Sequence, residues 1–499
     1  MAKTVLTFGK QEFGQCFPGH LGIQSLSPAF LDIMYCSAQH NDLSLRFWLE
    51  IAAPLGIFPC MLLSPSTPPP TPPPTPAPGG LVIEQTNMAA PLKIMNNKGL
   101  VLGVYEAETK GDPVDVASSP SAAYFNKQTD GQLASYDITA VCCLGKRGTR
   151  YSKQEGFEEG WENIRAAVAG GVRALRSVGE TQVDVDPCLM AEAAAEGGHL
   201  ALFEYDELKN PEKRKKRVSL ACLTQHMTAS DPASVENVSS LWQRGCGKAE
   251  GQNLARHLME APSNKLTPRA FTELVQAKFA NRPNVKGWYF HQAVSQYGPD
   301  AGRHGWGSLC AFIPLCENMP GGAAIKPGDV VTARNGKSIQ IDNTDAEGRL
   351  ILADALSYAE TVNPCLILDM ATLTGAIDVA LGSAATGVFA KSTETFNTLQ
   401  KAGSRTGDRM WRMPLFSHYS GQVTDCQLAD VNNVGKYSRS GGSCTAAAFL
   451  KEFVTHEDWL HLDIAGVMSN KDEVPYLGKG MAGRPTRTIV EFIHMISSS

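Results

Sequence analysis

Residues 328–361 read "GDVVTARNGKSIQIDNTDAEGRLILADALSYAET". The first half carries two short β-branched runs on either side of Asn335-Gly336, a dipeptide suited to a hairpin turn, and the second half has apolar residues at helical spacing. Asp345, Glu347 and Arg349 therefore fall on a strand-to-helix junction. Acids at a helix start are ordinary, because the exposed amides there carry partial positive charge. A cation in the first turn opposes the same dipole at a cost of about 0.3–1 kcal/mol, so Arg349 requires a compensating partner.

Working outward, further buried-strand runs flank this junction. "CLILDMATLTGA" and "WLHLDIAGVM" are apolar segments that end in small-residue loops, and "GLVLGVY" and "ITAVCCLG" are similar runs nearer the N-terminus. Between them, "ENIRAAVAGGVRAL" and "AEAAAEGGHLALFEYDEL" read as alanine-rich amphipathic helices, and "NLARHLMEAPSNKLTP" as a helix stopped by Pro262 and Pro268. Strands alternating with helices imply an α/β protein, and in such sheets ligands collect at the carboxyl ends of strands. The expected organisation is two α/β domains: residues 98–245 as the smaller N-terminal one and 250–499 as the C-terminal one that holds the junction. Residues 1–90 form an unmatched leader whose "STPPPTPPPTPAPGG" must be extended polyproline.

A net charge of −5 argues against a nucleic-acid partner, and the one basic run, "KNPEKRKKR" (209–217), reads best as a solvated loop. The 13 cysteines include no C-x-x-C pair, so neither a zinc ribbon nor a disulfide framework is indicated, and reduced thiols suit a cytoplasmic location. "MAKTVLTFGKQEFGQ" does not read as a signal peptide. "WLEIAAPLGIFPCMLL" is interrupted by Glu50 and two prolines and falls short of a membrane span of about 20 residues.

Two carboxylates two residues apart can bridge a pair of divalent cations, as in two-metal hydrolases; alternatively they cap the helix and pair with Arg349. The length of a match decides between them. "NTDAEGRLILADAL" resembles the signature of the leucyl aminopeptidase family, the two-metal cytosol-type aminopeptidases. The resemblance continues through "PLCENMPGG", "KPGDVV", "ATLTGAIDVALGSAATGVFA", "DRMWRMPLF", "DCQLADVNN", "GGSCTAAAFLKEFV", "HLDIAGVM" and "GRPTRT".

This resemblance implies a C-terminal catalytic domain of the two-metal type, with Asp345 and Glu347 as metal ligands and Arg349 as the catalytic arginine. It implies Thr372, Leu373 and Gly375 along the substrate wall, and Ala465 and Met468 in the side-chain pocket. The implied cofactors are two divalent ions per subunit, Zn²⁺ or Mn²⁺, with bicarbonate as a further anion. The implied partners are peptide substrates carrying N-terminal residues such as leucine, and copies of the chain in a homohexamer.

The family also carries a G-K-G-x-x-x-D-S-G-G segment and a further aspartate, which supply a lysine and two aspartates to the metals and a second, catalytic lysine. That segment is not found here. Near residues 285–311 only "HQAVSQYGPDAGRHGWGSLC" occupies its place, with Asp300 and His304 as candidate substitutes. Two carboxylates alone leave a two-metal site under-coordinated. Two alternatives to the active enzyme therefore stand: an impaired or truncated family member that only assembles, and a serine or cysteine hydrolase using Ser443 or Cys444 in "GGSCTAAAF".

Overall fold

The structure is a computed structural model, and it describes residues 3–9, 82–84, 98–105, 119, 121–124, 138–224, 232–280, 308–437, 440–471 and 473–497. The short stretch proposed to replace the glycine-rich segment, Asp300 and His304 included, lies outside the described residues except for its last three positions, and the proline repeat lies outside them altogether.

The N-terminal α/β unit is built on a five-stranded sheet ordered Val82–Glu84, Ile138–Cys143, Gly99–Val104, Gln182–Val185, Ser219–Cys222, parallel except at the Val82–Glu84 edge. The Gly99–Val104 strand is buried at every position, as an apolar run in a parallel sheet requires. The helix Glu159–Val178 packs Ile164, Val168, Val172 and Leu175 on this sheet.

The next helix differs from its expected reading. It spans only Ala191–Ala201, and it is buried on all sides between Glu159–Val178 and the long helix Pro232–Glu260. Small residues permit that. A Cβ on Gly197 would sit 2.4 Å from the Arg165 carbonyl oxygen, and one on Gly245 2.3 Å from that of Glu192. The boundary expected between residues 245 and 250 falls within the continuous Pro232–Glu260 helix.

The second unit is a six-stranded mixed sheet ordered Arg409–Arg412, Ala385–Ala390, Trp459–Asp463, Leu366–Ala371, Thr4–Gly9, Ser308–Phe312. Thr4–Gly9 corrects the start of the expected leader. It runs antiparallel between Leu366–Ala371 and Ser308–Phe312, with Val5, Leu6, Thr7 and Phe8 all buried. A six-residue run is too short to announce itself by periodicity; the paired strands on both sides give it its place.

Buried ion pairs join the two units. Glu196 accepts from Arg165 Nε at 2.6 Å and pairs with Arg487, and Lys248 reaches Glu491 at 2.6 Å and Glu192. Burial alone would raise the Glu196 carboxyl, and Arg165 and Arg487 outweigh it, holding the group below the usual range. No helix among the described residues is long and apolar enough to cross a membrane.

The hairpin expected around Asn335-Gly336 is present, pairing Val330–Thr332 with Ser338–Gln340, and Gly336 supplies the left-handed φ of 89°. Ser338–Gln340 also runs parallel to Val431–Asn432, which delivers Asn433 to the junction. The fully buried Asn433 side chain accepts from the backbone N–H groups of Asp342 (3.0 Å) and Asn343 (3.3 Å), and donates to the Asn343 carbonyl (2.6 Å). A single 3-10 turn, Thr344–Ala346, then leads into the helix Glu347–Ala359. We predict that Asn433→Ala, which strands these backbone groups, lowers unfolding stability by about 2–4 kcal/mol in urea titration; a loss below about 0.5 kcal/mol contradicts this role.

Further along the Glu347–Ala359 helix, Asp354 accepts the Arg334 N–H at 2.7 Å, yet burial pushes its carboxyl up from 3.8 to about 6. A folded pKa above the unfolded one stabilises at acid pH, and that contribution is lost as pH rises from about 4 through about 6. Asp354→Asn should therefore be more stable than the native chain at pH 7.5 by about 2 kcal/mol, with the difference closing at pH 4; a pH-independent difference in urea midpoint contradicts it.

Candidate active site

The helix starting at Glu347 carries its arginine inward. Arg349 is buried, and its Nη1 donates to the Asn433 carbonyl at 2.8 Å, so the cation that opposed the helix dipole is held by an oxygen of the same residue that clamps the preceding turn. Burial pushes this guanidinium down to about 10, with Asp463 and then Glu347 as the opposing carboxylates.

Asp463, at the end of the Trp459–Asp463 strand, is 1% exposed and organises the facing loop. Its Oδ1 accepts from the N–H groups of Leu373 (3.0 Å), Thr374 (3.3 Å) and Ala465 (3.4 Å), and its Oδ2 from the Thr374 hydroxyl (2.6 Å). Thr374 also caps the helix Gly375–Leu381 through the Ile377 N–H. Asp463 thereby ties together segments bearing four of the expected substrate-wall and pocket residues: Thr372, Leu373, Gly375 and Ala465. Met468, half-buried, follows three residues later, just before the strand Ser469–Asn470.

The two expected metal ligands sit differently. Asp345 is exposed, with its N–H bonded to the Asn343 side chain. Glu347 is half-buried and accepts Lys3 Nζ at 3.5 Å. Lys3 precedes the Thr4–Gly9 strand and crosses Gly348 so closely that any Cβ there would fall on its ammonium. Burial lowers the Lys3 pKa against the pull of Glu347.

In kind, these carboxylates suit divalent cations. In number they fall short: among the described residues, no group of three or more His, Cys, Asp and Glu side chains is placed to hold a metal ion.

The hydrolase alternative finds no support. Ser443 and Cys444 are buried in the helix Gly442–Lys451, and burial pushes the Cys444 thiol up, away from the thiolate a nucleophile needs.

Sequence reasoning passed over Asn433, Asp463, Thr374 and Lys3. The available signal was polar: Asp463 is a carboxylate inside the otherwise apolar run "WLHLDIAGVM", and charges are almost never fully buried without partners.

Residues 307–490 match the cytosol aminopeptidase family, catalytic domain. Over 494 aligned positions the chain is 45% identical to the cytosol aminopeptidase of Sus scrofa, covering 79% of this chain and 92% of that protein. Its identity to the Homo sapiens cytosol aminopeptidase is 43% over 492 positions, covering 79% and 92%. Since 79% of 499 residues is about 394, about 100 of the 494 aligned positions in the Sus scrofa comparison have no counterpart here, in line with an internal shortening. In fold, it resembles a tomato leucine aminopeptidase mutant (TM-score 0.62, 23% identity, covering 82% of this chain and 95% of that one). It also resembles the bottromycin maturation enzyme BotP (TM-score 0.64, 23% identity, covering 80% and 99%). With relatives this similar over nine-tenths of their length, the chain belongs to the cytosol aminopeptidase family, the metal-dependent aminopeptidases.

Proposed function

We propose that the junction at residues 343–349 is the working centre of an aminopeptidase that releases N-terminal residues, leucine foremost, from peptides. The observation that carries this reading is the placement of Glu347 and buried Arg349 at one strand-to-helix turn, with Asp463 as the counter-charge to Arg349 and hydrogen-bonded to the loop 371–375. In this reading Asp345 and Glu347 are the carboxylates offered to Zn²⁺ or Mn²⁺. Arg349, fixed by the Asn433 carbonyl, holds a small anion such as bicarbonate, or an oxyanion developing on the scissile carbonyl. Its rigidity matters, because a preorganised donor need not reorient as charge develops. Thr372, Leu373 and Gly375 form the wall along which the peptide lies, and Ala465 and Met468 bound the pocket for its first side chain. Asp463 positions that wall without itself reaching substrate.

One observation favours a second reading, an impaired member of the family: the described residues bring two carboxylates and no third ligand, and Lys3 already neutralises one of them. Cytoplasmic residence and assembly into hexamers complete the proposal.

Release of leucine from leucyl peptide amides should vanish on thorough chelation and return with added Zn²⁺ or Mn²⁺, and Arg349→Ala should lower kcat by about 10²–10³. Activity that survives chelation overturns the metal assignment. If no activity appears at any metal concentration while the chain remains folded, the second reading holds.

The assembly claim is separately testable. Light scattering at micromolar concentration is expected to give about six times the 53.6 kDa chain mass; a monomer at that concentration contradicts it.

A further inference from the structure

Away from the candidate active site, a cleft of about 470 Å³ opens between the N-terminal unit and the loop joining the strands Ser469–Asn470 and Gly480–Met481. Its charged lining is Arg173, Arg176, Lys215, Arg256 and Lys479, against Glu204 and Glu260. Five cations meet two anions here, in a chain whose net charge is −5.

The two carboxylates are already engaged. Glu204 accepts from Arg176 at 3.0 Å and from Lys215 at 2.7 Å, and Glu260 accepts the Met481 N–H at 2.6 Å. Of the cations, Arg176 and Lys215 share Glu204, while Arg256 and Arg173 donate chiefly to carbonyls. Arg256 is 1% exposed; its Nε and Nη1 donate to the Met481 and Leu200 carbonyls (3.1 and 2.9 Å), and it lies 4.1 Å from the centre of the Phe203 ring. Arg173 donates from Nη1 to the Pro475 carbonyl, while its buried Nη2 has no hydrogen-bond partner among the described residues. Lys479 is exposed at the rim.

We propose that this cleft binds a small molecule carrying two or more phosphoryl groups. Guanidinium groups present paired N–H donors that match phosphoryl oxygens, and a buried donor left without a partner is costly unless a ligand satisfies it. A cleft of this size accommodates a di- or triphosphate with or without a nucleoside, beside the rings of Phe203 and Tyr205.

Isothermal titration of the full chain with inorganic pyrophosphate and, separately, with ATP tests the site, with sulfate at matched ionic strength as the control. One ligand per chain with a sub-millimolar Kd is expected, and either Lys479→Glu or Arg173→Gln should weaken it at least about tenfold. Lys479→Glu changes an exposed residue, so loss of binding in that variant with an unchanged circular dichroism spectrum reports the site and not unfolding. Equal affinity for pyrophosphate and ATP assigns the site to the phosphates alone, and tighter ATP binding assigns a nucleotide. Absence of binding by both ligands at 5 mM overturns the proposal. So does sulfate-like affinity, or binding unaffected by both substitutions.

Discussion

The candidate site depends on one side chain, Asn433. Its amide accepts from the N–H groups of Asp342 and Asn343 and donates to the Asn343 carbonyl, and the main-chain carbonyl of the same residue accepts from the Arg349 guanidinium. Without that clamp the turn before Glu347 loses three of the hydrogen bonds that fix its entry, and the main-chain carbonyl that accepts from the buried Arg349 is no longer held in place. The clamp is in turn set by sheet register, because Val431–Asn432 lies parallel to Ser338–Gln340 and delivers Asn433 directly under the turn.

Asp463 does for the facing wall what Asn433 does for the turn. Its carboxylate gathers N–H groups from both sides of the site, and it is also the leading counter-charge to Arg349. Positive charge is otherwise concentrated: Lys3 and Arg349 both lie near Glu347. Under the proposed function, a divalent cation entering beside Glu347 would compete with the Lys3 ammonium, which ties the segment leading into an N-terminal strand to a residue more than three hundred positions away.

Much of this was legible in the sequence, and the reasons are local. The Asn335-Gly336 hairpin, the helix from Glu347 and the buried strands Gly99–Val104, Leu366–Ala371 and Trp459–Asp463 each follow from turn chemistry or apolar runs. The compression of Ala191–Ala201 into an all-round buried helix was not legible, since it depends on glycines meeting backbone from other helices. Nor was the insertion of Thr4–Gly9, whose place is set by partners some three hundred residues on. The carboxylates and arginine of the signature were visible as a pattern; Asn433, which holds the preceding turn and Arg349, and Asp463, which holds the facing loop, act through long-range hydrogen bonds that no spacing reveals.

Anomalous diffraction from crystals grown with saturating Mn²⁺ bears most directly on whether Glu347, beside Arg349, is a metal ligand. The account predicts a manganese peak bonded to the Glu347 carboxylate with the Lys3 ammonium displaced from it, and loss of that peak in Glu347→Ala. Manganese bound elsewhere, with Lys3 still paired to Glu347, would contradict it.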